Sequence, residues 1–94
     1  MKKAVFPGSF DPITRGHMNI LERSIPLFDE VVVAVGVNSA KTSMFGMEKR
    51  LDWLKRVTAA FPSVSVQAFE GLTSAFCEEQ GAHWLIRGVR NGGD

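Results

Sequence analysis

Four short apolar runs alternate along the chain with longer segments in which hydrophobic residues recur at helical spacing. The runs cover residues 3–7, 30–37, 64–69 and 83–87, and they are rich in valine or bounded by turn residues. Residues 31–37 are apolar almost without interruption, which is typical of a strand covered on both faces. The pattern therefore predicts four buried strands separated by helices.

The three segments between the runs carry one hydrophobic stripe each. These stripes are Met18, Leu21, Ile25 and Phe28, then Met47, Leu51, Leu54, Thr58 and Phe61, then Leu72, Ala75 and Phe76 within residues 72–80. Gly81 follows the last segment at the position where helices commonly end. Pro26 has no N–H for the carbonyl of Glu22, so the first helix is predicted to kink or end early.

The resulting order is β-α-β-α-β-α-β, which predicts an α/β, Rossmann-like parallel sheet with helices on both faces. We expect strand order 3-2-1-4, with a fifth strand absent from this chain. A length of 94 residues allows one domain, and residues 1–94 are expected to be part of a single one.

Composition excludes several classes of function. The formal net charge is +1, which argues against a non-specific nucleic-acid binder. A single cysteine, Cys77, rules out an internal disulfide and favours a cytoplasmic location. The apolar stretch that follows the two N-terminal lysines is too short for a signal-peptide core, and no apolar run approaches the ~20 residues of a membrane span. We therefore expect no nucleic-acid or membrane partner.

Chemistry-bearing residues follow each predicted strand. In open α/β sheets, ligands bind beyond the carboxyl ends of the strands, where the strand order reverses. In order 3-2-1-4, the first and fourth strands are neighbours, so their following loops meet over one crevice. Those loops carry Ser9 and His17, and Arg87 and Arg90, while Lys41 and Thr73 follow the second and third strands at the same edge. A hydroxyl, an imidazole and several cations together indicate a phosphate site.

His17 lies where the first loop becomes a helix. Thr14 is predicted to cap that helix, and His17 then falls in its first turn. The positive end of the helix dipole favours an anion there, and it favours a neutral imidazole that donates one hydrogen bond. Gly8 allows the tight turn that brings the backbone close to a ligand.

Each of these residues also has an ordinary structural interpretation. A lone histidine at a helix start is more often simply solvated, and most arginines lie in solvent. Asp11 before Pro12 is most simply a turn-former, Thr73 is predicted to cap the third helix, and Cys77, Trp53 and Trp84 are interpreted as packing residues.

Three segments in combination carry a family resemblance: PGSFDPITRGH at residues 7–17, NSAKTSMF at 38–45 and IRGVRNGGD at 86–94. Together they resemble bacterial-type phosphopantetheine adenylyltransferases, within the nucleotidyltransferases marked by a TxGH or HxGH motif. The TxGH motif alone would be weak evidence for this family, but its combination with the other two segments, in this order, is specific to it. The resemblance covers the whole chain and identifies it as the N-terminal portion of one nucleotidyltransferase domain.

The resemblance implies transfer of AMP from ATP to 4′-phosphopantetheine, yielding dephospho-CoA and pyrophosphate. It implies that His17 stabilises the transition state and that Ser9 contacts both substrates. It further implies that Lys41, Thr73 and Arg87 bind the acceptor. On the nucleotide side it implies that Phe10 donates a backbone N–H to ATP, that His17 also contacts ATP, and that the nucleotide is bordered by Gly88, Val89 and Arg90. Mg²⁺ would accompany ATP, and the protein would form a homo-oligomer, a hexamer in that family.

Two alternatives stay open at the level of sequence. The chain could belong to another TxGH nucleotidyltransferase, one that acts on nicotinamide mononucleotide or glycerol phosphate. Because the family's downstream acidic nucleotide contact and serine-rich segment are missing, the chain could also be an inactive fragment. Such a fragment would bind phosphate ligands or pair with itself through the open edge of its sheet.

Overall fold

The computed structural model of the chain describes residues 2–37 and 45–87, and within them strands and helices alternate as predicted. The elements are β1 (Lys3–Gly8), α1 (Arg15–Ser24), a 3₁₀ turn (Ile25–Leu27), β2 (Glu30–Gly36), α2 (Met47–Val57), β3 (Val64–Phe69), α3 (Thr73–Gln80) and β4 (Trp84–Leu85). The strands form one parallel sheet in the order β3-β2-β1-β4, which confirms the predicted strand order.

Helices cover the sheet on both faces. Side chains alternate along its central strands, so each strand contributes residues to the core on either face. One face packs against α1 and α2 and buries Ala4, Phe6, Val31, Val33 and Val35 together with Leu21 and Leu54. The other face packs against α3 and buries Val5, Val32, Ala34, Phe76 and Ala82. Residues 31–35 of β2 are all 0% exposed, which explains why that run is continuously apolar.

Proline ends the first helix where the sequence predicts. α1 stops at Ser24, and Ile25–Leu27 continue as a 3₁₀ turn that contains Pro26. Gly81 ends α3 in the left-handed conformation, with φ of 68°, as expected for a glycine at a helix C-terminus.

Three local predictions are wrong. Thr73 is not the cap of α3: Leu72 occupies that position without a side-chain hydrogen bond, and Thr73 is already helical. Of the predicted stripe on α3, only Phe76 is buried, because Leu72 is 73% exposed and Ala75 is also exposed. β4 comprises two residues rather than residues 83–87, and its ladder pairs Ala4 with Trp84 and Val5 with Leu85.

Trp84 packs less completely than expected. Its ring contacts Phe28 at a centroid distance of 5.8 Å, yet the residue is 42% exposed.

No helix among the described residues is both long enough and apolar enough to cross a bilayer.

Candidate functional site

The loops that carry the candidate residues leave one edge of the sheet. Because the strands are parallel, the chain leaves β1, β2, β3 and β4 at the same carboxyl edge. An open groove of about 550 Å³ lies there, lined by Pro7, Gly8, Ser9, Gly36, Val37, Phe69, Gly71 and Thr73. The fold therefore brings two predicted site residues, Ser9 and Thr73, to one groove.

A reciprocal hydrogen-bonded cap holds His17 at the start of α1. The Thr14 hydroxyl accepts from the backbone N–H of His17 at 3.3 Å, and the backbone N–H of Thr14 donates to His17 Nδ1 at 3.0 Å. Thr14 is thus the helix cap, as predicted. Because Nδ1 accepts a hydrogen bond, the neutral ring carries its proton on Nε2.

Phe10 gives the turn after β1 its shape. Its φ is 44°, in the left-handed region that costs a side-chain-bearing residue about 1–2 kcal/mol. The ring is only 2% exposed and meets Phe6 and His17 edge-on, with centroid distances of 5.3 and 5.0 Å. Burial and these aromatic contacts offset the backbone strain, and they place the Phe10 ring directly against the imidazole.

The Phe10 ring also lies close to the backbone of Gly8. A Cβ atom added at Gly8 would lie 3.0 Å from Cζ of Phe10, which is tighter than nine in ten Cβ contacts in proteins, so the ring would have to shift by a few tenths of an ångström. The buried phenyl ring has little room to move, since Phe6 and His17 lie beside it. The glycine therefore makes room for the Phe10 ring, and its predicted close approach to a ligand stays a prediction.

Two long-range hydrogen bonds tie this turn to α2. Arg50, on α2, is 6% exposed, and its Nη1 donates to the carbonyl oxygen of Ser9 at 2.9 Å. Just before that helix, the backbone N–H of Phe45 donates to Oδ1 of Asp11 at 2.7 Å. The turn is thereby fastened on both sides of Phe10.

Sequence reasoning missed both of these connections. Asp11 was interpreted most simply as a turn-former, with a metal role as the weaker alternative, and Arg50 was given no role. The signal for Arg50 was present, because it lies three residues after Met47 and four before Leu54, within the apolar face of α2. A charged residue at such a position calls for a buried partner.

The remaining predicted residues are placed only in part. Arg87 lies two residues beyond β4 at the carboxyl edge of the sheet, and it is exposed and not among the residues that line the groove. Lys41, Gly88, Val89 and Arg90 fall outside the described residues.

A second hollow of about 670 Å³ lies between α3 and β4, and it differs chemically from the groove. Its lining includes Cys77, Ala82, Trp84 and Leu85. Trp84 and Leu85 are 42% and 47% exposed, so this side of β4 presents apolar surface. Among the described residues, neither this hollow nor the groove is lined by an arginine or lysine, so the two differ in the apolar surface of β4 and not in cationic side chains.

The described residues suit a metal ion that is brought by its ligand. Within residues 2–37 and 45–87, no three His, Cys, Asp or Glu side chains lie together as a metal site. Mg²⁺ commonly takes one or two carboxylates and completes its coordination with phosphate oxygens and water. Mg²⁺ that arrives with a nucleotide is therefore compatible with this donor set.

Comparisons with known proteins agree with this architecture. The family described as cytidylyltransferase-like matches residues 5–93. The chain is 52% identical over 94 residues to the phosphopantetheine adenylyltransferase of Christiangramia forsetii, covering 100% of this chain and 62% of the relative. It is 53% identical over 92 residues to the enzyme of the same name from Cutibacterium acnes, covering 98% of this chain and 59% of the relative. The chain thus spans about three-fifths of the length of these relatives.

A solved structure shares the fold. The lipopolysaccharide core biosynthesis protein from Thermoplasma volcanium superposes with a TM-score of 0.70 at 24% sequence identity. The match covers 90% of this chain and 72% of that protein. At this level of identity the similarity establishes the parallel α/β fold and nothing finer.

Proposed function

Because the chain belongs to the cytidylyltransferase-like family, we propose that it carries the substrate-binding turn of a phosphopantetheine adenylyltransferase. The proposed reaction transfers AMP from ATP to the phosphate of 4′-phosphopantetheine and yields dephospho-CoA and pyrophosphate. The observation that carries the proposal is the capped His17, held at the start of α1 after the β1 turn. Relatives of this name match the whole chain at 52% and 51% identity.

The proposed chemistry needs few catalytic groups. The acceptor phosphate is itself a nucleophile, so no general base has to be built. In-line attack at the α-phosphorus spreads negative charge over the equatorial oxygens, and catalysis is mostly positioning and electrostatic stabilisation. His17 would donate from Nε2–H to one of these oxygens, and the N-terminus of α1 would add its positive dipole end.

The other predicted residues would bind and orient the substrates. In this proposal Ser9 contacts both substrates through its hydroxyl, and Phe10 donates its backbone N–H to ATP. Thr73, across the groove, would contact the acceptor together with Arg87 and Lys41. Gly88, Val89 and Arg90 would border the nucleotide. Mg²⁺ bound to the phosphates of ATP would neutralise part of their charge.

A pyrophosphate-release assay tests this function. The protein that contains this chain is given Mg-ATP with 4′-phosphopantetheine, nicotinamide mononucleotide or glycerol phosphate. We expect pyrophosphate with phosphopantetheine only, and mass spectrometry should identify dephospho-CoA. Release with another acceptor alone would assign the chain to a different nucleotidyltransferase, and no release with any acceptor would refute the catalytic proposal.

The exposed edge of the sheet favours one second candidate, self-association of an inactive fragment. Trp84 and Leu85 expose apolar side chains on β4, which within the described residues pairs with β1 alone. Such an edge can pair with another chain. Light scattering combined with the same assay separates the two: a compact, active species supports the enzyme, and an aggregated, inactive one supports the fragment. Both the homo-oligomer and the cytoplasmic location stay predictions.

A further inference from the structure

We propose that Arg50 is a positioning residue for the nucleotide-binding turn, acting through the peptide bond between Ser9 and Phe10. This inference rests on the proposed function and deepens it, because it concerns the turn that would hold ATP. Arg50 belongs to α2, far along the chain from the turn, and it touches the turn at the carbonyl of Ser9.

The planarity of the peptide bond links Arg50 to the predicted nucleotide contact. The carbonyl oxygen of Ser9 and the N–H of Phe10 belong to one rigid peptide plane and point in opposite directions. The 2.9 Å hydrogen bond from Arg50 Nη1 to that oxygen therefore sets the direction of the Phe10 N–H. This N–H is the group that the proposed function assigns to ATP.

The peptide needs such a restraint because Phe10 is strained. Its φ of 44° lies in a region that residues with side chains rarely occupy. Packing of the phenyl ring against Phe6 and His17 fixes the side chain. The hydrogen bond from Arg50 fixes the other side of the same residue, and the bond from Phe45 to Asp11 holds the residue that follows.

Stability of α2 alone does not account for an arginine at this position. Arg50 is 6% exposed on the apolar face of the helix, and its Nε has no hydrogen-bond partner among the described residues. A buried N–H without a partner is unfavourable, whereas an unbranched apolar side chain would fill the same space without that loss. The bond to Ser9 is the interaction that an arginine supplies here and a methionine cannot.

Three variants separate positioning from packing and charge. Arg50→Met keeps the length and apolar stem but removes the donors, and Arg50→Lys keeps the charge without the planar fork. Arg56→Met is the matched control on the same helix, because the Arg56 side chain is 75% exposed and, among the described residues, forms an ion pair with Asp52 at 3.0 Å. Melting curves establish a temperature at which each variant is folded, and kcat and KM for ATP are measured there.

We expect kcat/KM for ATP to fall about 100-fold in Arg50→Met, the loss typical of a small misplacement of a reacting group. Arg50→Lys should lose less than Arg50→Met, since its ammonium group can still donate one hydrogen bond to the Ser9 oxygen. Arg56→Met should stay within about two-fold of wild type, as an exposed pair contributes little. In NMR spectra without ligand, the Phe10 amide should shift and exchange faster with solvent in Arg50→Met only, while the Cys77 amide, on α3 at the other face of the sheet, is unchanged.

Wild-type kcat/KM and an unchanged Phe10 amide in Arg50→Met would overturn the inference. So would a lower melting temperature accompanied by unchanged kinetics of the folded variant, since that result describes packing alone. If Arg50→Met does not fold, Arg50→Lys decides by the same two measurements. If the wild-type protein releases no pyrophosphate, the proposed function fails, and the Phe10 amide still shows whether Arg50 orients the turn.

Discussion

The backbone N–H of Thr14 donates to Nδ1 of His17 across 3.0 Å, while the Thr14 hydroxyl accepts from the backbone N–H of His17. One pair of residues therefore both begins α1 and orients the imidazole. The Phe10 ring, with its centroid 5.0 Å from that of His17, supports the imidazole from the turn. The hydrogen bonds that begin α1 therefore also position the proposed catalytic imidazole.

This cap predicts the tautomer of His17. In its neutral form, the ring should be protonated at Nε2 with Nδ1 unprotonated, since Nδ1 accepts from the Thr14 backbone. Long-range ¹H–¹⁵N NMR spectra distinguish the two nitrogens directly. His83 is exposed and serves as the internal reference, for which we expect a mixture of tautomers. A His17 signal with the proton on Nδ1 would contradict the observed cap.

Removal of the cap should destabilise the protein measurably. Thr14→Ala is expected to lower the free energy of unfolding by about 1 kcal/mol, the usual loss for a helix cap. Thr73→Ala is the matched control, because Thr73 starts α3 without a side-chain capping bond. Urea denaturation of both variants measures the difference. Equal losses in the two variants would show that the Thr14 hydroxyl does not act as a cap.

Loss of the imidazole should reduce turnover far more than nucleotide binding. We expect His17→Ala to lower kcat by about 100- to 1,000-fold, the range for removal of one transition-state donor, with KM for ATP changed little. His83→Ala is the control at an exposed histidine that directly precedes β4, at the opposite edge of the sheet from the turn after β1. Steady-state pyrophosphate release measures both variants. A rise in KM with unchanged kcat would instead assign His17 to ground-state binding.

The close contact at Gly8 predicts a steric effect on the turn. Gly8→Ala places a methyl group 3.0 Å from the Phe10 ring, so the free energy of unfolding should fall by about 1–3 kcal/mol, as in overpacked cores. Gly46→Ser is the matched control, since a Cβ there meets nothing within 4 Å. Serine at that cap position should raise stability by a few tenths of a kcal/mol. Wild-type stability of Gly8→Ala would mean that the phenyl ring can move aside.

Local patterns along the chain were sufficient for the arrangement of the sheet. The continuous apolar run at residues 31–37 indicates a central strand, and its burial on both faces bears this out. Handedness rules for parallel crossovers then leave few orders, and the predicted 3-2-1-4 is observed. The caps at Thr14 and Gly81 and the early helix end before Pro26 were also predictable, because they depend on backbone groups only a few residues away.

Predictions were wrong where an element's neighbours decide the outcome. Leu72 and Ala75 fit a helical stripe with Phe76. In the structure Phe76 packs against the sheet face that α3 covers, whereas Leu72 and Ala75 stay exposed. The fourth run has the composition of a longer strand, yet among the described residues its ladder with β1 covers two residues and one further hydrogen bond, from the Ile86 N–H to the Val5 carbonyl. Periodicity states which residues could share a face, whereas burial depends on the extent of the surface that lies opposite.

The sequence by itself determined the parallel α/β layout, the helix that begins at Thr14 and the edge of the sheet at which Ser9, His17 and Thr73 are carried. Each follows from interactions between residues close in the chain or from general rules of chain connection. Only the tertiary structure decided three contacts of the turn after β1. Arg50 donates a hydrogen bond to the Ser9 carbonyl, and the Phe45 N–H donates to the Asp11 carboxylate. The Phe10 ring packs against His17. The physical reason is that hydrogen bonds and ring contacts of this kind depend on distances of a few ångströms between segments, which no periodic pattern specifies.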